Sequence, residues 1–266
     1  MTVQPSLRLR PVLAALAVAG LCAAPLAAPL AADPAPGFDP ESFSDAERAA
    51  FGAAVRSYLL DNPEVLLEVI AELEDRQASA QTAEDATLIA VNAEALFDSP
   101  HSWVGGNPEG DVTLVEFVDY NCGFCRRAFP EVMELAEFDP GVRLVMKELP
   151  ILGPESEMAA RFAIAVLRTE GADAYAEAHE RMMGMSGRVG PPAIARVAGE
   201  MGLDLDALGP VMEGAEVSEV IAANRALAQR LGIEGTPSFV LPDRMLRGYV
   251  PLAAMLDAVE EVRAAN

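Results

Sequence analysis

Apolar residues in this chain fall into two kinds of run. In the first part they recur at helical spacing: Phe43, Phe51, Val55, Tyr58 and Leu59, then Val65, Leu66, Val69, Ile70 and Leu73. The two stripes are parted at Asn62-Pro63, and Ser44 with Glu47 three residues later makes a capping box. The pattern therefore predicts two short helices, each apolar on one side. A polar stretch from Glu74 to Thr87 follows, and "LIAVNAEALFDSP" reads as a helix that stops before Pro100. Beyond the loop "SPHSWVGGNPEGD" the second kind of run begins. Val112 to Val118 is nearly continuous and rich in β-branched and aromatic residues, as a buried strand requires. From Cys122 to about Phe138 the period is helical, interrupted at Pro130, and "VRLVMKELPIL" gives a second strand. About residues 155–232 are alanine-rich and helical, with breaks at Gly171, Gly187 to Pro192 and Gly209-Pro210. "TPSFVLPDRMLRGYV" reads as two short strands across a turn at Pro242-Asp243, and Leu252 to Ala265 closes the chain as a helix. Strand, helix, strand, then hairpin and helix is an α/β layered domain carrying a helical insertion, preceded by a small α-helical segment.

The N-terminus changes where this domain is expected to work. Arg8 and Arg10 precede an apolar run from Pro11 to about Ala24, followed by small residues and prolines. That is the build of a secretory signal peptide over residues 1–32, and the run falls short of the ~18 apolar residues of a membrane-spanning helix. Cys22 follows Leu21 rather than a small residue, so it reads as part of the leader and not as a lipidation site. Residues 33–98 then hold a Pro/Ala/Gly-rich linker and the helical segment, and residues 99–266 the main domain. The formal net charge of −22 opposes nucleic-acid binding, because phosphates would be repelled, and otherwise serves solubility. Lys147 is the only lysine, and nothing in the sequence accounts for it.

Once the leader is removed two cysteines remain, in Cys122-Gly123-Phe124-Cys125. They sit where a strand ends and a helix begins. Free amide N–H groups and the helix dipole there stabilise an anion, so Cys122 is expected to ionise readily, and Cys125 one turn on can attack a mixed disulfide formed by it. Export implies an oxidising compartment in which the pair can exist as a disulfide. Structural zinc would want four ligands, whereas His101 and His179 are isolated. A structural disulfide across so small a loop would constrain little of the unfolded chain. An iron–sulfur cluster would need thiolates from another chain. Thiol-disulfide exchange needs no metal and no cofactor beyond the Cys122–Cys125 pair itself.

The stretches "LVEFVDYNCGFC" and "GTPSFV", with helices inserted between them, resemble the DsbA family of the thioredoxin fold. "NPEGDVTLVEFVDYNCGFC", "KELPILGPESEMAAR" and "NPEVLLEVI" are similar more narrowly to its ScsC-like members, which are periplasmic thiol-disulfide oxidoreductases with an added N-terminal helical segment. The resemblance implies a thioredoxin fold with a helical insertion and a location in the periplasm. It further implies that Cys122 is the exposed attacking cysteine, Cys125 the resolving one, Pro237 a cis-proline that presents backbone to an extended substrate, and Thr236 a residue that tunes exchange. Glu116 matches a buried acid that handles protons in relatives, and a carboxylate within an apolar strand is itself costly without a partner. Two positions depart from the strongly oxidising relative, which has Pro-His between its cysteines and Val before the cis-proline. Gly123-Phe124 and Thr236 resemble the periplasmic isomerases instead. Without an imidazole beside the sulfur, a less depressed Cys122 pKa and a less oxidising couple are expected.

The implied partners are unfolded or misoxidised secreted proteins and a membrane thiol reductant or oxidant. ScsC-like relatives can oligomerise through the N-terminal segment, so a homo-oligomer is expected. Alternatives are a copper-binding or copper-tolerance protein using the same thiols as soft ligands, a dithiol oxidase without isomerase activity, and a chaperone that uses only the apolar surface. Phe124 and Phe129 read either as an apolar lip for substrate or as core. Arg126 and Arg127 read as a solvated face, with assistance of the thiolate by one of them as the alternative, and Met182, Met183 and Met185 as core rather than a copper site. His101 reads as a loop residue, and His179 as helix surface or core.

Overall fold

The computed structural model describes residues 42–265. The leader, Cys22 and the linker up to Pro40 lie outside the described residues. The chain divides into two compact units, one ending at Pro63 and the other beginning at Glu64. The first holds helix α1 (Asp45–Asp61). The capping box is formed: Ser44 Oγ accepts from the Glu47 amide at 3.4 Å, and Glu47 Oε2 accepts from the Ser44 amide at 2.9 Å. Phe51, Val55, Tyr58 and Leu60 on α1 are exposed.

The second unit opens with α2 (Glu64–Val91), and here the sequence reading is corrected. The polar stretch from Glu74 to Thr87 does not interrupt it; the helix is one rod of 28 residues. Alanine, glutamate, glutamine and arginine are good helix formers, no glycine or proline falls between Glu64 and Val91, and Glu72 pairs with Arg76 one turn on at 2.6 Å. The stretch is polar because that part of the helix is exposed, not because it is loop. After Asn92 the short α3 (Ala93–Phe97) ends ahead of Pro100 as expected.

A five-stranded sheet follows, built from β1 (Trp103–Gly106), β2 (Val112–Val118), β3 (Val142–Glu148), β4 (Ser238–Val240) and β5 (Met245–Arg247) in the order β1-β3-β2-β4-β5. Only β2 and β3 run parallel; every other pairing is antiparallel. Strand β1 lies in the segment the sequence presents as loop, because two glycines and four residues give no alternation to read. Helix α4 (Gly123–Phe138) continues straight through Pro130 rather than breaking there. The insertion comprises α5 (Pro154–Glu170), α6 (Ala172–Met183), α7 (Pro191–Met201), α8 (Leu205–Met212) and α9 (Ala215–Arg230), and α10 (Leu252–Ala265) closes the fold. The expected break at Gly209-Pro210 lies instead at Gly202–Asp204, where Gly202 takes φ +70° and the Asp204 carboxylate caps α8 by accepting from the Asp206 and Ala207 amides.

The sheet separates two apolar layers, so β2 is buried on both faces and reads as a continuous apolar run. Leu114, Val118, Leu144 and Met146 pack with α4, α10 and the insertion. Val115, Phe117 and Val145 pack with Ile89 of α2, Leu96 of α3 and Leu227 of α9. The single lysine finds its role in this second layer. Lys147 is fully buried, its Nζ donates to the Ala95 carbonyl of α3 at 2.7 Å, and burial pushes its pKa down to about 8. Arg143 donates to the Phe97 carbonyl at 3.0 Å, so two cations of β3 receive the C-terminal carbonyls of α3 and dock it to the sheet.

Candidate active site

Strand β2 ends at Val118 and delivers the chain into a turn that places Cys122 at the N-cap of α4. The turn is fixed by Asp119. Its carbonyl accepts from the Cys122 amide at 3.0 Å, its Oδ1 from the Asn121 amide at 2.8 Å, and its Oδ2 from the amides of Ile151 and Leu152 at 2.9 and 3.1 Å. Asn121 in turn accepts from the Val189 amide at 2.7 Å, which ties the loop between α6 and α7 to the cysteines. Neither Asp119 nor Asn121 is singled out in the sequence, because Ile151, Leu152 and Val189, which they hold, lie far along the chain.

Cys122 and Cys125 are both free thiols. The Cys122 sulfur accepts from the Cys125 amide at 3.4 Å and its thiol donates to the Thr236 carbonyl at 3.1 Å. Its pKa is lowered to about 5: the Cys125 thiol as hydrogen-bond donor gives the largest effect, burial opposes it, and the Thr236 side chain and the amides of Cys125 and Phe124 add to the lowering. The Thr236 hydroxyl is buried and has no partner of good geometry around the thiol, which leaves it free to turn to the sulfur once the proton is lost. Cys125 is fully buried, and burial, its hydrogen bond to Cys122 and the charge of Glu116 push its pKa far above the range in which a thiol titrates. The expectation of an exposed attacking cysteine is corrected: Cys122 is only 6% exposed, with the Thr236 carbonyl 3.1 Å from its sulfur.

Thr236 and Pro237 join through a cis peptide bond. Glu116 is buried in β2 opposite Phe239 of β4, and burial, then the Cys122 thiolate charge, raises its pKa to about 8. Phe124, 60% exposed, stands between the cysteines at the surface, and Ile151 and Leu152 on the loop held by Asp119 are partly exposed as well. The structure thus brings Cys122, Cys125, Thr236 and Pro237 together and places Glu116 within electrostatic reach of both sulfurs. Phe129 is partly buried against the core, its ring packed edge-on against His179 at 5.3 Å. His179 is buried, with Nδ1 3.0 Å from the Tyr120 hydroxyl, and desolvation lowers its pKa to about 4. Beside it Tyr175 donates to Glu148 at 2.5 Å, a polar pair with no signal in the sequence. Met182 and Met183 are in the core, and His101 is exposed.

The solvated-face reading holds for Arg127, which is exposed, and is overturned for Arg126. Arg127 lies over the Tyr249 ring at 4.2 Å. Arg126 Nε donates to the Tyr120 carbonyl at 3.0 Å and its NH1 to the Gly187 carbonyl at 2.5 Å, while its NH2 is buried without a partner. This guanidinium is desolvated and within electrostatic reach of the Cys122 sulfur, so it favours the thiolate. Alkylation of Cys122 should therefore rise tenfold per pH unit below about pH 5 and level off above it. In Arg126→Met the midpoint should move up by about half a unit; thiolate absorbance against pH reads both, and an unmoved midpoint would assign Arg126 to packing alone.

A dithiol at a helix N-terminus, with one sulfur ionised near neutrality and faced by a cis X-Pro segment, defines a thiol-disulfide oxidoreductase of the thioredoxin fold. Residues 113–260, more than half of the chain, match the DSBA-like thioredoxin domain, and the chain belongs to that family. Residues 47–80 match the copper resistance protein ScsC N-terminal domain. A thioredoxin-like oxidoreductase from Silicibacter pomeroyi is 48% identical, with 65% of this chain and 98% of that one covered and a TM-score of 0.62. Proteus mirabilis ScsC in a transitional conformation is 27% identical over 86% of this chain and 100% of that one, also with a TM-score of 0.62. The Na(+)/H(+) antiporter NhaA 3 of Salinispora tropica is 30% identical over 164 residues, 61% of this chain but 25% of that protein. The chain thus spans between a quarter and a third of the length of the curated relatives it matches. Among the described residues no helix is long and apolar enough to cross a membrane.

Proposed function

We propose that the chain is exported by the leader at residues 1–32 and rearranges disulfides of periplasmic proteins. The observation that carries this reading is the Cys122 sulfur, with a pKa of about 5, bonded to the Thr236 carbonyl beside the cis-proline. The Cys122 thiolate attacks a substrate disulfide, forming a mixed disulfide and releasing a substrate thiolate. If that thiolate or another in the substrate attacks the mixed disulfide, Cys122 leaves and the substrate is isomerised with no net electron transfer. If Cys125 attacks instead, the substrate departs reduced and the Cys122–Cys125 disulfide remains. Isomerisation thus needs the pair kept reduced by a membrane thiol reductant, and oxidation needs a membrane oxidant. A pKa of about 5 lies between the roughly 3.5 of DsbA and the roughly 7 of thioredoxin, in keeping with a couple less oxidising than DsbA.

Residues 33–98 serve as linker and oligomerisation segment, and residues 99–266 as the catalytic domain. Supporting self-association are the exposed apolar residues Leu66, Leu67, Val69, Ile70 and Leu73 of α2 and the match of residues 47–80 to the ScsC N-terminal domain. The test is reactivation of a scrambled multi-disulfide protein by the reduced chain lacking its leader. Reactivation lost in Cys122→Ser supports an isomerase; none with either protein leaves an oxidase or reductase. The copper-resistance description of the N-terminal match favours a second reading, in which Cys122 and Cys125 hold Cu(I). Tight stoichiometric copper binding that blocks exchange would bear that out.

A further inference from the structure

Strand β5 is the edge of the sheet, and its last residue is tied to α2. The Arg247 guanidinium meets Asp85 with two nitrogens, at 2.7 Å from Oδ2 and 2.9 Å from Oδ1. Asp85 is only 2% exposed, and Gln81 one turn earlier donates to it at 2.9 Å. Burial by itself would raise the pKa of this carboxyl, but the hydrogen bonds from Arg247 and Gln81 and the Arg247 charge outweigh it and hold Asp85 below its ordinary value. A charge so buried is retained only where its partner is fixed, because either group alone would be stranded.

The strand that this pair secures runs directly to the reactive thiol. Arg247 lies opposite Ser238 in the β4–β5 ladder, and Ser238 follows the cis-proline. The next residue, Gly248, donates its amide to the Pro237 carbonyl at 3.0 Å. Thr236, before the proline, offers the carbonyl that Cys122 bonds at 3.1 Å. Contacts are therefore continuous from α2 through Arg247 and Pro237 to the sulfur. β4 is buried and paired with β2 on one side, and on the other side it rests on β5 alone. β4 and β5 have three residues each, and the turn leading into the proline contains Gly232 and Gly235, around which nothing would touch an added Cβ. A cleft of about 250 Å³ opens beside it, bounded by Gly235, Thr236, Ser238 and Arg247. Short edge strands fray unless something ties them down, and Asp85 of α2 does so here.

We propose that Asp85 and Arg247 are positioning residues for disulfide exchange, holding Thr236–Pro237 where an extended substrate chain meets Cys122. The proposal rests on the exchange chemistry of the site and adds α2 to the elements that build the substrate-binding edge. A small disulfide needs only the thiolate, whereas a polypeptide must also pair with the backbone at the cis-proline. The test compares exchange with dithiobis(nitrobenzoate), a small aromatic disulfide, and with an extended peptide bearing one disulfide. Asp85→Asn keeps the volume and some hydrogen bonding of the carboxyl. It should lower kcat/KM for the peptide about tenfold, chiefly through KM, with the small disulfide affected less than about twofold. Arg247→Leu should behave alike, and Arg247→Lys should recover part of the loss; melting temperatures confirm that each variant is folded in the assay. Equal losses on both substrates, or no loss on the peptide, would overturn the proposal. Wild-type chain that exchanged neither substrate would overturn the exchange reading itself, and the positioning role with it.

Discussion

Cys122→Ser should abolish thiol-disulfide exchange, with a loss of at least about a thousandfold, while leaving the melting curve nearly unchanged. The size of the effect follows from how differently the two sulfurs are treated. Cys122 is stabilised as an anion by the Cys125 thiol, the Thr236 side chain and two backbone amides, to a pKa of about 5. Cys125 is fully buried, and its own ionisation is opposed by burial, by its hydrogen bond to Cys122 and by the charge of Glu116. Cys125 thus cannot replace Cys122 as the thiolate that opens a substrate disulfide. A serine hydroxyl does not ionise at neutral pH and forms no disulfide. The complementary change, Cys125→Ser, keeps the attacking thiolate and removes the group that resolves its product, so a mixed disulfide with substrate should accumulate and be visible on a non-reducing gel. If Cys122→Ser retained exchange, or if Cys125→Ser lost the first attack while accumulating no adduct, the assignment of roles would have to be reversed.

What made those roles legible was their locality. The strand Val112–Val118, the turn and the helix N-terminus are consecutive in sequence, so the apolar run, the two thiols and the change of period identify the site together. Pro237 and Glu116 could be named only through the family resemblance, since no spacing links them to the cysteines. Other features stayed hidden because their partners are set by the order of strands and not by sequence distance. Asp119 holds Ile151 and Leu152, Tyr175 reaches Glu148, Arg126 reaches Gly187, and Arg247 reaches Asp85, each across a long stretch of chain. Charge misled in both directions. The polar part of α2 hides the helix although helix propensity carries the rod through it, Arg126 reads as a solvated residue, and Lys147 stays without an account, although both donate to backbone carbonyls inside the fold. In a chain this acidic, its few cations repay attention to where each one goes, and several serve as fasteners.

Glu116 destabilises the fold at neutral pH, and its replacement should show the cost. The carboxyl is 3% exposed and its pKa is raised to about 8, chiefly by burial and then by the Cys122 thiolate, from the ordinary 4.5. Between those two values the folded chain holds a proton that the unfolded chain has released, so stability falls as pH rises through this window, by about 1.4 kcal/mol per pH unit. Glu116→Gln removes the titration. Near pH 4 the variant and wild type should melt together, while near pH 7 the variant should be more stable by about 3 kcal/mol, or roughly 6–12 °C for a domain of this size. The gain should be smaller once Cys122 and Cys125 are joined, because the disulfide carries no thiolate charge to raise the carboxyl further. The same substitution removes a buried carboxyl within electrostatic reach of the thiol that must lose a proton before it can resolve a mixed disulfide. Resolution by Cys125 should therefore slow by about a hundredfold and lose the limb of its pH profile near 8, while the first attack by Cys122 changes little. Differential scanning calorimetry at the two pH values and single-turnover kinetics of adduct decay read the two halves separately. A variant stabilised equally at pH 4 and pH 7 would place the gain in packing, and unchanged decay would leave Glu116 without a part in proton transfer.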